Sequence, residues 1–168
     1  MSELIDKISS YHIFNYLLPG ILLSIIVEKI TIYSIIQENL IIGAFLYYFI
    51  GLVISRFGSL ILEPFLKKIK YVKFAEYSEF IKASKNDSKI EILSETNNMY
   101  RTFSSLFVII ILIKLYEFIF LKFSISMNWN IYIFITILLI MFLWSYKKQT
   151  SYIAKRVEMD LKINQNIN

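Results

Sequence analysis

Long, mostly apolar runs recur four times along the 168 residues of this chain, and they constrain its fold more than any other feature. The runs are Ile8–Val27, Asn39–Leu62 (with Arg56 inside it), Phe103–Phe123 and Phe123–Tyr146. The last holds 24 residues without a single charge. Because a hydrocarbon core of about 30 Å is crossed by about 20 helical residues, each run is long enough to span it. The sequence therefore predicts an all-α integral membrane protein with four transmembrane helices.

The distribution of Lys and Arg between the runs predicts the orientation of the chain. Residues 1–12, the connection 63–102 and the tail after Tyr146 together carry fourteen of these residues, whereas the two other connections carry only Lys29 and Lys122. Since positively charged connections tend to stay in the cytoplasm, we expect both termini and the 63–102 connection there. The expected single membrane domain, 1–168, has spans at about 13–35, 39–62, 103–123 and 126–146.

The cytoplasmic connection 64–102 is expected to form a helical hairpin. Its first helix would begin at Pro64 and run to about Ala83, and Ser88 with Glu91 would form a capping box that starts the second helix. We expect that second helix to continue into the third span. The tail 147–168 is similarly expected to extend the fourth span as a cytoplasmic helix.

The N-terminal region carries two further local signals. Residues 2–11 predict a short amphipathic lead-in at the inner interface. Glu3 and Asp6 lie ahead of the first run and no small-residue cleavage site follows it, so we expect a retained anchor rather than a cleaved signal peptide. Pro19 predicts a kink or a late helix start, with Asn15 as the cap of the restarted helix; the kink either serves packing or builds a site on broken backbone.

A stripe of small residues marks one face of the second span. Gly51, Ser55, Gly58 and Ser59 are separated by four, three and one positions, which places them on a narrow strip of a helix. Small side chains allow another helix to approach closely. We expect this strip to be a helix-packing interface, either within one chain or between chains of a homo-oligomer.

Several ionisable residues lie inside or at the ends of the expected spans, where an unpaired charge is costly. Lys114 and Glu117 are three positions apart near the middle of the third span and share a helix face. They predict either a structural ion pair or the polar lining of a pore. Arg56 is expected to extend its charge to the inner interface. Glu28 and Lys29 lie near the outer end of the first span, where either could meet Lys114 or Glu117.

The composition excludes several classes of chemistry. The chain has no Cys and a single His, and it shows no Gly-rich phosphate loop, nucleophile elbow or clustered metal-ligating carboxylates. We therefore expect no enzyme activity, no cofactor and no metal site. The lone His12 is interpreted as an interfacial residue. The net charge of +5 is explained by topology, so we expect the lipid bilayer rather than nucleic acid as the partner of the basic regions.

Three segments carry a resemblance to known proteins: Asn15–Gly20 (NYLLPG), Ile54–Pro64 (ISRFGSLILEP) and Asn97–Thr102 (NNMYRT). They resemble small bacterial four-span proteins of the kind found in antiphage defence loci. The resemblance implies the bacterial inner (plasma) membrane and a membrane-disrupting effector or an anchor, with no catalytic residues. We expect an oligomeric effector or pore-forming subunit. The alternative is an anchor or scaffold for a soluble partner that binds through 64–102 and 147–168.

Overall fold

The computed structural model of the chain describes residues 10–123 and 127–165, with side chains described over 10–123 and 129–161. The regular elements in this part of the chain are all helices: α1 Ser10–Ile30, α2 Leu40–Lys68, α3 Tyr77–Asn86, α4 Lys89–Lys122 and α5 Met127–Gln165. Four of them, α1, α2, α4 and α5, are long and apolar enough to cross a membrane. This confirms an all-helical fold with four candidate spans. Residues 2–9 of the lead-in expected at 2–11 lie outside the described residues.

The core of the bundle is formed by α1, α2 and α4. Leu23 and Val27 of α1 pack with Ile54 of α2 and Leu106 of α4, and all four side chains are buried. Helices α1 and α4 run in one direction, and α2 and α5 run in the other. Helix α5 lies at the edge of the bundle. Only 6 % of its most apolar stretch is buried, against 33 % of the corresponding stretch of α1.

Proline shapes α1 without interrupting it. The helix makes a π-helical turn at Ile13–Leu17, and the Leu18 amide bonds to the carbonyl of Ile13, five residues back. The wider turn accommodates Pro19, whose ring would clash with the carbonyl of residue 15 in a regular α-helix. The expected late start was therefore wrong, and Asn15 does not cap a helix.

The first span is also shorter than expected. Helix α1 ends at Ile30, and Thr31 is extended with φ −131° and ψ 172°. The expected span 13–35 was thus five residues too long at this end. The backbone amides of Ile32 and Ile35 are bonded to glutamate side chains of α1 and α4 instead of to a continuing helix.

Helix α2 has well-defined ends. The Asn39 carboxamide oxygen accepts from the amides of Ile41 and Ile42, which caps the start. A second π-helical turn at Gly58–Leu62 precedes Pro64. After Lys68 the chain closes in a Schellman motif, in which Lys70 adopts a positive φ of 60° and the Tyr71 amide bonds to the Leu66 carbonyl.

This closure breaks the first helix expected in the hairpin. We predicted one helix from Pro64 to about Ala83, but residues 72–76 have no regular structure and α3 begins only at Tyr77. The capping box was also wrong. The side chain of Ser88 makes no capping bond, and the carboxylate of Asp87 accepts from the Lys89 amide at 2.9 Å. As predicted, α4 continues through residues 97–100 into the third span, and α5 extends the fourth span into the tail.

Candidate functional site

Polar side chains inside the bundle form three groups, one at each end and one between α1 and α4. We call the end at the 31–39 connection the short-loop end and the end at the 69–88 connection the long-loop end. The charged residues predicted from the sequence lie in two of these groups.

At the short-loop end, Lys114 and Glu117 of α4 form an ion pair with an N–O distance of 2.5 Å. The Lys114 ammonium also donates to the carbonyl of Ile30 at 2.6 Å, and Glu117 accepts from the amide of Ile32 at 2.7 Å. Glu117 is only 4 % exposed, whereas the Lys114 side chain is 55 % exposed. The pair therefore ties α4 to the end of α1. Of the two alternatives, these bonds favour the structural pair over a pore lining.

Glu28 acts on the same connection from α1. Its carboxylate accepts from the Ser34 hydroxyl at 3.1 Å and from the Ile35 amide at 3.0 Å. Glu28 and Glu117 thus each hold a different part of the 31–39 backbone. The expected contact of Glu28 with Lys114 or Glu117 is not among the hydrogen bonds or ion pairs found in the described residues. Carboxylates that accept backbone amides here satisfy donors that a helix would otherwise pair.

Tyr33 lies in this connection and was not among the residues predicted from the sequence. Its hydroxyl oxygen is buried and has no hydrogen-bond partner in the described part of the chain. Burial raises the pKa of the Tyr33 phenol above its usual value, and the neighbouring Tyr116 and Glu117 raise the pKa further. The Tyr33 phenol is therefore held neutral, beside the ion pair of α4.

Between α1 and α4, Asn15 and Thr102 form a buried polar contact. The Thr102 hydroxyl lies 2.8 Å from Oδ1 of Asn15 and 2.9 Å from the carbonyl of Asn98, and both oxygens can accept its proton. The amide nitrogen of Asn15 is buried and makes no hydrogen bond within the described residues. Asn15 was predicted as a helix cap, and its role here is a contact between helices.

At the long-loop end, the buried carboxylate of Glu63 joins α2 to α4. Its two oxygens bind Lys67 at 2.9 Å and Arg101 at 2.7 Å. Glu63 is 7 % exposed. Sequence analysis missed this cluster, although the spacing of Glu63 and Lys67 is the one that allows ion pairs on a helix. Arg101, the partner on α4, could not be identified from the spacing of residues within α2.

Lys148 of α5 reaches the same end of α2. Its ammonium donates to the carbonyl oxygen of Ser59 at 2.7 Å and to the Ser59 hydroxyl at 2.8 Å. Arg56 is near enough for its charge to act on Lys148. Arg56 takes part in none of the three ion pairs found among the described side chains. The predicted extension of Arg56 to the interface remains a prediction.

The small residues of α2 serve contacts within the chain. A methyl group added at Gly51 would lie 1.7 Å from the Tyr16 carbonyl oxygen of α1, and one added at Gly58 would lie 2.4 Å from Ser105 Oγ of α4. Ser55 is buried, and Ser59 binds Lys148. Gly20 of α1, which was not predicted as part of this interface, makes a similar contact: a methyl group added there would lie 1.8 Å from the Tyr47 carbonyl oxygen of α2.

Comparison of the chain with protein-family models, curated proteins and solved structures gives no match. Within 10–123 and 127–165, the structure brings together no group of three or more His, Cys, Asp or Glu residues that could hold a metal ion. The resemblance to four-span proteins of defence loci therefore stays an interpretation of the sequence.

Proposed function

We propose that this protein is a non-enzymatic, multi-pass membrane anchor or scaffold for a soluble cytoplasmic partner. One observation carries the proposal. Glu28, Lys114 and Glu117, three of the charged residues predicted inside or at the ends of the spans, all bind the chain's own backbone around the short-loop end. Groups that hold a connection in place are not free to coordinate a passing ion. A scaffold needs stable helices across the membrane and a surface outside it for the partner. This arrangement of polar groups stabilises the helices.

The surface for the partner lies at the long-loop end in this proposal. The rings of Tyr77 in α3 and Tyr152 in α5 are 5.6 Å apart, so the 69–88 connection and the extended part of α5 are in contact. Segments 63–102 and 147–168 together carry thirteen Lys and Arg residues. A partner with an acidic surface would match this charge. The charge distribution also supports a cytoplasmic position for this end. The bacterial inner membrane is the location that the sequence resemblance implies.

Site-specific photo-crosslinking in cells tests the scaffold function. A crosslinking residue placed at the exposed Lys85 or Arg156 should capture one soluble protein, whereas the same residue at Phe45, on the exposed apolar face of α2, should not. The captured protein should leave the membrane fraction when the chain is deleted. Adducts confined to lipid or to other copies of the chain would contradict the proposal.

The second candidate is an oligomeric effector or pore-forming subunit. It is favoured by the sparse burial of α5, since 6 % burial leaves an apolar helix face available to neighbouring copies. A role in antiphage defence rests on the sequence resemblance alone. Ion flux into liposomes that contain the purified protein, with and without the captured partner, separates the candidates. Flux above that of protein-free liposomes supports the effector, and its absence in both conditions supports the scaffold.

A further inference from the structure

An open groove of about 370 Å³ lies on α5 at the long-loop end. It is lined by two aromatic residues, one serine and three lysines: Trp144, Tyr152, Ser151, Lys147, Lys148 and Lys155. No acidic side chain is among these residues. The groove therefore has a strongly positive lining with a flat apolar element on each side, which suits an anion attached to an apolar group.

The groove lies where the apolar part of α5 ends. Trp144 belongs to the 24-residue uncharged run that ends at Tyr146, and Lys147 and Lys148 are the first charges after that run. Tryptophan and tyrosine are enriched where the hydrocarbon meets the headgroups, and lysines beyond them lie at the level of lipid phosphates. The depth of the groove along α5 thus matches that of a phospholipid headgroup.

Part of the groove is held in place by contacts with the rest of the bundle. Ser59 of α2 fixes the ammonium of Lys148, and the ring of Tyr152 lies 5.8 Å from that ammonium and 5.6 Å from the ring of Tyr77. A molecule bound in this groove would contact the few residues through which the peripheral helix α5 meets α2 and α3. Lys147 and Lys155 are exposed and have room to bind it.

We propose that this groove binds the phosphate of an anionic glycerophospholipid. Lys147, Lys148 and Lys155 bind the phosphate, and the ring of Trp144, on the side of the apolar run, packs against the glycerol and the first acyl carbons. The lipid would occupy the space beside α5 that protein does not fill and hold its extended part against the bundle. This proposal is independent of whether the protein is a scaffold or an effector.

The two tryptophans of the chain allow a direct test, because only Trp144 lines the groove. In a Trp129→Phe variant of the full chain, Trp144 is the sole tryptophan, and light at the long-wavelength edge of its absorption excites it without exciting the 12 tyrosines. The protein is reconstituted in vesicles of unlabelled phosphatidylcholine. One series of vesicles also contains phosphatidylglycerol brominated near the headgroup, and the other contains phosphatidylcholine brominated at the same position. Brominated phosphatidylglycerol should quench Trp144 with an apparent affinity at least about fivefold higher than that of brominated phosphatidylcholine. This factor is the contribution expected of a single lysine near a membrane surface.

Substitutions then separate a site from general attraction to a basic protein. Lys147→Gln with Lys155→Gln should abolish most of the preference, and this pair leaves the Lys148–Ser59 contact intact. Lys82→Gln with Lys85→Gln removes the same charge outside the groove and should preserve the preference. In a Trp144→Phe variant, Trp129 at the other end of α5 should show no preference. Equal quenching by the two lipids, or equal losses from the two double substitutions, would overturn the proposal.

Discussion

The ammonium of Lys148 lies 2.7 Å from the carbonyl oxygen of Ser59, and it replaces a hydrogen bond that the α2 backbone cannot make. In the π-helical turn Gly58–Leu62, the Glu63 amide bonds to the Gly58 carbonyl. The next amide in this register would belong to Pro64, which has none. The carbonyl of Ser59 is thereby left without its backbone donor, and a side chain from another helix supplies one.

This relationship predicts a cost for Lys148→Met that depends on Pro64. We expect the substitution to lower the free energy of unfolding by about 1–3 kcal/mol, because a part-buried carbonyl loses its donor. In a Pro64→Ala background an amide is present at position 64, so the same substitution should cost less. Denaturant unfolding in detergent measures both values. Lys147→Met is the matched control and should change little, and an equal cost of Lys148→Met in both backgrounds would contradict the explanation.

The two cations bound to Glu63 are expected to differ in importance. Arg101→Met should destabilise the fold by about 3 kcal/mol, because it breaks the link between α2 and α4 at a buried carboxylate. Lys67→Met should cost less than about 1 kcal/mol, since the Lys67 side chain is 43 % exposed and pairs within one helix. Thermal unfolding of the two variants beside wild type tests the order. A larger effect at Lys67 than at Arg101 would be inconsistent with the geometry.

The Lys114–Glu117 pair is expected to be structural. Glu117→Leu should lower the melting temperature more than Lys114→Leu, because the buried Glu117 also accepts the Ile32 amide while Lys114 is half exposed. Replacing both, with Lys114→Leu and Glu117→Gln, should be tolerated better than Glu117→Leu. The same proteins in liposomes should show no change in ion flux. A folded double variant whose flux differs from wild type would favour the pore.

The glycine contacts predict a graded series of alanine substitutions. Gly51→Ala should destabilise by about 1–3 kcal/mol, since the added methyl meets the rigid backbone of α1. Gly58→Ala should cost less, because it meets the side chain of Ser105, which can rotate. Gly43→Ala is the control, with its nearest side-chain atom at 3.3 Å. Unchanged stability of both Gly51→Leu and Gly58→Leu would exclude a packing role for the strip.

The orientation is testable because the chain has no native cysteine. Glu38→Cys should react with a membrane-impermeant maleimide in intact cells. Ser88→Cys and a cysteine added at the C-terminus should react only after the cells are permeabilised, as the fourteen-to-two distribution of basic residues predicts. Labelling of position 88 in intact cells would reverse the assignment.

Local patterns were sufficient to predict the helices that could cross a membrane. The long, mostly apolar runs identified all four, and the continuation of the third and fourth spans into flanking helices followed from the helical spacing of apolar residues. The ends of elements were less predictable. Helix α1 stops at Ile30 because Glu117, 85 residues away from Ile32 in sequence, binds the first free amide. The break after Lys68 depends on the left-handed backbone conformation of Lys70, which the composition does not indicate.

The sequence by itself determined that the chain is all-helical with four candidate membrane spans. Hydropathy is a property of consecutive residues, and a membrane selects long apolar helices. Only the tertiary structure decided which polar groups meet. The pairs Asn15–Thr102, Glu63–Arg101 and Ser59–Lys148 lie on different helices. Their contacts depend on how far each helix is shifted along its neighbour, a quantity set by packing at Gly20, Gly51 and Gly58 rather than by spacing within any one helix.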